Sequence, residues 1–167
     1  MEVTIRRART SDVRAVRRLV DGYARERILL NKPTVTLFES VQEFWVAERD
    51  DDAEVVACGA LHVMWEDLAE VRTLAVDPAC RGTGIGHVLL EKLISTARWI
   101  GVRRIFCLTF EVDFFSKHGF SEIGSTPVDG DVYEELRRSY DEGVAEFLDL
   151  ERVKPNTLGN TRMLLHL

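Results

Sequence analysis

Residues 74–94, LAVDPACRGTGIGHVLLEKLI, constrain the fold of this chain more than any other stretch. An apolar run ends at Pro78, three glycines follow within five positions (Gly82, Gly84 and Gly86), and an apolar, helix-forming run begins at once. Proline removes a ladder N–H and closes a strand. Glycine at a helix start gives up about 1 kcal/mol per residue relative to alanine. A tight strand-to-helix turn needs one such glycine or two. A third, with Arg81 just ahead of it, points to a bare backbone that an anion can approach, because the first N–H groups of a helix have no intrahelical partner.

Two phosphate loops do not fit. A Walker loop needs Gly-Lys-Ser/Thr after its glycines, whereas Gly86 is followed by His87 and Val88. A dinucleotide fingerprint GxGxxG begun at Gly82 places His87 at its third glycine.

Around this centre the patterning predicts a mixed α/β sheet. EVTIRRA alternates as a first strand, and Thr10, Ser11 and Asp12 offer cap oxygens to a helix whose stripe is Val13, Val16, Leu19, Val20 and Tyr23. ILLNKPTVTLFESVQEF, broken at Pro33, carries a second helical piece. FWVAERDDDAEVVACGALHVMW reads as a hairpin about an acidic turn, and LAEVRTLAVDP as the next strand. The helix after the glycines runs to Ile100 and stops at Gly101. RRIFCLTF is a strand, DFFSKH a short helix ended by Gly119, and FSEIG a short strand. DVYEELRRSYDEGVAEFL reads as one helix and TRMLLHL as a closing strand, an edge that a homodimer could extend. No repeat or linker divides residues 1–167, so one domain is expected.

Composition narrows the partners. A net charge of −6 argues against a nucleic-acid surface, and no apolar run approaches the ~18 residues of a membrane span. Three cysteines, Cys58, Cys80 and Cys107, form no CxxC and leave one thiol over in any pairing. They read as reduced thiols of a cytoplasmic protein.

Few residues outside the loop carry chemistry. Glu70 and Arg72 share a strand face by period-two alternation, with Leu74 next in line. They read either as a surface ion pair or as a base beside a cation. His62 and His166 sit in apolar strand patterns, and His87 and His118 lack metal-ligand spacing, so no metal is expected. There is no GxSxG for a serine hydrolase. Phe110, Phe114, Phe115 and Phe120 read as core, and Asp50–Asp52 as a solvated turn.

Arg81, Gly84 and Gly86 fit the R/Q-x-x-G-x-G/A motif of the GNAT superfamily of N-acetyltransferases, which this chain resembles over roughly residues 3–125. The LAV upstream and FFSKHGF after the next strand keep the family's order. The resemblance implies a single GNAT-type domain, a mostly antiparallel mixed sheet with splayed strands flanked by helices. It implies acetyl-CoA as co-substrate, with Arg81, Gly82, Thr83, Gly84, Ile85 and Gly86 around its pyrophosphate. Leu74, Ala75 and Val76 would pair with the pantetheine arm. Glu70 takes the place of a glutamate base that acts through water in several members. The family's tyrosine acid is replaced by Phe115, which leaves Thr109, Ser116, Tyr133 or water to protonate the thiolate.

Over nearly its full length the chain further resembles the short bacterial N-acetylglutamate synthases, GNAT proteins without an amino-acid-kinase domain. The segments that carry this likeness include ILLNKPTVTLFESVQEFWVAE, LTFEVDFFSKHGF and SYDEGVAEFLDLERVKPNTLGNTRMLL. That resemblance implies L-glutamate as acceptor and the first step of arginine biosynthesis. Lys32, Arg72 and Thr109 are then the candidates that hold the acceptor, an Arg–carboxylate pair being strong and directional. Two other readings stand beside it: a GNAT enzyme for another amine, such as glutamine, a protein N-terminus, a polyamine or a drug, and a non-catalytic coenzyme A-binding domain.

Overall fold

The alternating N-terminus becomes β1 (Val3–Arg7), antiparallel to β2 (Phe44–Arg49), which is in turn antiparallel to β3 (Val55–Trp65). The computed structural model describes residues 1–25, 32–150 and 159–167. β4 (Leu68–Val76), β5 (Arg104–Thr109), β6 (Ser121–Glu122) and β7 (Thr161–His166) complete a seven-stranded sheet of order β1-β2-β3-β4-β5-β7-β6. The sheet is mostly antiparallel, β4 and β5 being its parallel pair.

The chain forms two compact units, Met1–His62 with Val71–Ala97, and Val63–Glu70 with Arg98–Leu167. In the first, alternation along β2 and β3 sends side chains to two faces. Val46, Cys58 and Ala60 meet Val13, Val16, Leu19 and Val20 of α1 (Val13–Arg25) and Leu37 of α2 (Thr34–Glu39). Ala47, Val56 and Ala57 meet Ile85 and Leu89 of α3 (Ile85–Ile100). Each fully buried large aliphatic side chain contributes roughly 1.5–3 kcal/mol. Gly59 allows α3 to come close: a Cβ there would lie 2.9 Å from Leu74 Cδ1 and 3.0 Å from Leu93 Cδ1. The α1 entry is tied down by Asp12, whose carboxylate takes two bonds from Arg6, at 2.7 and 3.0 Å, and one from the Arg9 N–H at 2.7 Å.

In the second unit, Leu68, Phe106 and Leu164 lie under Leu136 of α5 (Gly130–Leu136) and Val144 and Phe147 of α6 (Glu142–Phe147). Phe106 and Phe147 meet edge to face at 5.1 Å. The single helix expected from DVYEELRRSYDEGVAEFL is two. Ser139 Oγ accepts from the Asp141 N–H at 3.1 Å, and Asp141 Oδ1 from the Val144 N–H at 3.0 Å. These local side-chain bonds stop one helix and cap the next. Phe110 is 41% exposed and is not core. Phe115, in α4 (Val112–Ser116), packs edge to face on Phe114 and Phe120 as expected. β7 pairs with β5 along its length on one edge and with β6 at Met163 and Leu164 on the other.

Candidate active site

β4 begins as a regular strand. Leu68, Ala69 and Glu70 stand opposite Arg104, Ile105 and Phe106 of β5 in parallel register. Partners in register share a face, so Glu70 lies beside Phe106 and is only 6% exposed. Three residues later Thr73 takes a left-handed conformation, φ 58°, inside the strand. For a β-branched residue this is a true outlier, worth roughly 1–3 kcal/mol of strain. Its carbonyl receives the Cys58 thiol at 3.6 Å. The alternation that put Glu70, Arg72 and Leu74 on one face is therefore interrupted at Thr73. Past it, Leu74 and Val76 pack with the α3-side cluster and Ala75 with the α1-side cluster.

The Asp77 N–H donates to the Val56 carbonyl of β3 at 2.8 Å. Neighbouring residues of a strand present their backbone groups to opposite sides, so those of Val76 point away from β3. Both are engaged by one hydroxyl. Tyr23 donates to the Val76 carbonyl at 2.8 Å and accepts from its N–H at 3.3 Å. Arg81 Nε donates to the same oxygen at 3.3 Å, its guanidinium 5.0 Å from the Tyr23 ring. This uses the hydroxyl's one donor and both of its acceptor positions.

The loop then turns into α3 through two left-handed glycines, Gly82 (φ 78°) and Gly84 (φ 87°). Thr83 Oγ1 braces the turn by donating to the Cys80 carbonyl at 2.6 Å. The first bonds of α3 run from the N–H groups of His87 and Val88 to the Gly84 carbonyl, at 3.0 and 3.2 Å. The amides of Ile85 and Gly86 precede them. A Cβ at Gly82 or Gly84 would meet nothing within 4 Å, so these glycines answer a conformational need and leave the turn bare. Amides ahead of the first helical bond, the positive end of a 16-residue helix and Arg81 fit a pyrophosphate.

The other sequence candidates divide. Arg72 is half-buried on β4. Lys32 is half-buried ahead of α2, and its carbonyl accepts from Arg17. Thr109 is buried at the end of β5, where its Oγ1 accepts from the Glu111 N–H at 2.8 Å and caps the turn into α4. Ser116 is exposed, and Tyr133 packs in the α5–α6 core. His62 is paired with Glu43 at 2.8 Å. No cluster of three or more His, Cys, Asp or Glu side chains that could hold a metal occurs among the described residues.

Two residues that matter were missed. Tyr23 reads in sequence only as one more stripe residue. Glu146 is 4% exposed on α6, and its Oε1 is buried with no hydrogen-bond partner. Burial, then the charge of Glu70, raises its carboxyl above the ordinary value. A carboxylate within the apolar run Val144, Ala145, Phe147, Leu148 was the available signal. Burial, with Glu70's charge added, likewise pushes the Cys107 thiol of β5 up.

The profile of the Acetyltransferase (GNAT) domain matches residues 40–122. An amino-acid acetyltransferase of Mycobacterium tuberculosis is 61% identical over 162 residues, 96% of this chain and 92% of the relative. An amino-acid acetyltransferase of Salmonella typhi is 33% identical over 80% of this chain, which spans 29% of that longer protein. A crystal structure from M. tuberculosis in complex with CoA and NLQ superposes with a TM-score of 0.95 at 61% identity, covering 98% of this chain and 99% of that one. N-acetylglutamate synthase from Neisseria gonorrhoeae, complexed with coenzyme A and N-acetyl-glutamate, shares the fold at a TM-score of 0.79 and 24% identity, covering all of this chain and 35% of the other. The chain belongs to the GNAT acetyltransferases and is an enzyme of their amino-acid branch, moving an acetyl group from acetyl-CoA to an amino acid.

Proposed function

We propose that the acceptor is L-glutamate and that Glu70 takes the proton from its α-amine, so that the product is N-acetylglutamate, first intermediate of arginine biosynthesis. The observation that carries this reading is Glu70 itself, a 6%-exposed carboxylate on β4, four residues before Leu74, with half-buried Arg72 between them. An α-amine is mostly protonated near neutral pH and attacks a thioester only once deprotonated, which is work for a carboxylate acting directly or through one water. Arg72 supplies a directional partner for an acceptor carboxylate, and Lys32 a second cation.

In this reading the amides of Gly82–Gly86, with Arg81 and Thr83, hold the pyrophosphate. Leu74, Ala75 and Val76 border the pantetheine arm, and an N–H at Leu74 or Ala75 faces the developing oxyanion. Phe115 has no proton to give. A coenzyme A thiol has a pKa near the ~8.5 of free cysteine, so the thiolate leaves with water or the Thr109 hydroxyl as its acid. The three free, buried cysteines suit the reducing cytoplasm, where we place the reaction.

The test is thiol release from acetyl-CoA with L-glutamate, L-glutamine, spermine and a peptide with a free N-terminus. The expected order puts L-glutamate first in kcat/KM. A higher kcat/KM for glutamine, spermine or the peptide overturns the assignment of the acceptor.

A further inference from the structure

The strand register places two charged side chains, Glu70 and Arg162, on the face of Phe106, and a third, Glu146, belongs to the helix that covers this ring. Glu70 stands beside Phe106 on β4, and Leu108, two residues along β5, stands opposite Arg162 of β7. Arg162 therefore emerges on the same face as Phe106, its guanidinium carbon 6.0 Å from the Phe106 ring. It is anchored from above, donating to the carbonyl of Phe147 and, at 3.4 Å, to Thr126 Oγ1. Phe147 covers Phe106 edge-on, and the residue before it on α6 is Glu146. Glu146 is 4% exposed with Oε1 unpartnered, and Arg162 Nε is buried and unpartnered too.

A carboxylate oxygen buried with no donor disfavours the charged form of Glu146, and a proton removes that charge. A second carboxylate nearby adds to that cost, because two negative charges in one dry site cannot both be held easily. The charged groups acting on Glu146 are Glu70 from β4, Arg162 from β7, Glu142 from its own helix and Asp149 just beyond it. Three are negative and one positive, and burial acts in the same direction as the three.

We propose that Glu146 is a positioning residue of the acid–base site: it holds a proton beside Glu70, leaving Glu70 as the site's single charged carboxylate, and its own ionisation sets how readily Glu70 accepts the proton of the acceptor amine. This rests on the reading of Glu70 as the base. With Glu146 neutral, one negative charge serves the amine. As Glu146 loses its proton, a second charge appears in the same cluster and strengthens Glu70 as a proton acceptor.

Two measurements test this. Carbon-13 titration of the Glu146 carboxyl in the wild type and in Glu70→Gln needs no turnover. Removing the neighbouring charge is expected to lower the Glu146 midpoint by about one pH unit. An unmoved midpoint overturns the coupling. The kcat–pH profile of Glu146→Gln, which mimics the protonated acid, is expected to keep acetyl transfer and the midpoint of the acidic limb while losing one inflection present in the wild type. A profile with every wild-type inflection intact overturns the proposal, as does loss of activity at all pH values in a folded variant. If instead Glu70→Gln keeps the wild-type rate while the Glu146 midpoint moves, Glu70 is not the base, and the pair is coupled without serving the reaction.

Discussion

The Tyr23 hydroxyl donates to the carbonyl of Val76 at 2.8 Å and accepts from that residue's N–H at 3.3 Å. One side chain of α1 thus takes up both backbone groups that β4 turns away from β3 at that position. In the reading proposed for β4, the amides of the pantetheine arm use the same two groups. Hydroxyl and cofactor then compete.

Removing the hydroxyl separates its two effects. Tyr23→Phe keeps the ring under Arg81 and loses the bonds, so unfolding in urea should show a loss of about 1 kcal/mol. Acetyl-CoA should bind more tightly by the same increment, up to ~5-fold, measured by calorimetry. Weaker binding in a folded variant would mean that Tyr23 supports the cofactor rather than competing with it.

Gly84 tests the pyrophosphate cradle through a matched pair of substitutions. Its φ of 87° disfavours any side chain, but asparagine and aspartate tolerate that region best, and a Cβ there meets nothing within 4 Å. Gly84→Asn should fold and bind acetyl-CoA with modest loss. Gly84→Asp adds a negative charge of nearly the same shape beside the amides of Ile85 and Gly86, and should lose a further tenfold or more. Equal affinities for the two variants would remove the anion from this turn.

The thiols should be inert in the folded protein. Burial pushes the Cys58 thiol up to about 12 and that of Cys107 well above its ordinary value. Since the thiolate is the reactive form, an aromatic disulfide reagent at pH 8 should label these two only as fast as the protein unfolds. Rapid labelling of both in native buffer would show that the strands open far more often than their packing implies.

Legibility from sequence followed the range of the forces involved. The strand, glycine loop and helix at residues 74–94 were readable because proline, glycine and apolar spacing act locally. The break between α5 and α6 was equally local, written in Ser139 and Asp141, but the helical residues on either side masked it. Thr73 gives no sign of its left-handed backbone, because a β-branched residue in a strand pattern predicts the opposite. Phe110 was assigned to the core by type alone, and burial is decided by which neighbours the chain brings. Pairing of β7 between β5 and β6 joins segments 40 or more residues apart, beyond any windowed reading. The cluster of Glu70, Glu146 and Arg162 depends on that same pairing. The start of the run ILLNKPTVTLFESVQEF, read as carrying a helical piece, lies outside the described residues up to position 31.

Two buried carboxyl groups should make stability depend on pH in opposite directions. Asp12 accepts two bonds from Arg6 and one from the Arg9 N–H, and Arg6 holds its carboxyl below the ordinary value of 3.8. Its contribution is fully present above that value and is lost as pH falls through the lower, folded one. Glu146 is the reverse, since burial raises its carboxyl above the ordinary 4.5. The fold favours its protonated form, so its contribution is complete below 4.5 and is lost as pH rises through the folded value. Urea unfolding at pH 3, 5 and 7 distinguishes the two. Asp12→Asn should cost about 2 kcal/mol at pH 7, the scale of hydrogen bonds to a charged group, and progressively less toward pH 3. Glu146→Gln should gain on the wild type as pH rises from 4 to 7, because the variant has no proton to lose. A Glu146→Gln difference that is flat across that range would mean that the wild-type carboxyl ionises as easily folded as unfolded, and that Glu146 Oε1 finds a donor that its buried position does not supply.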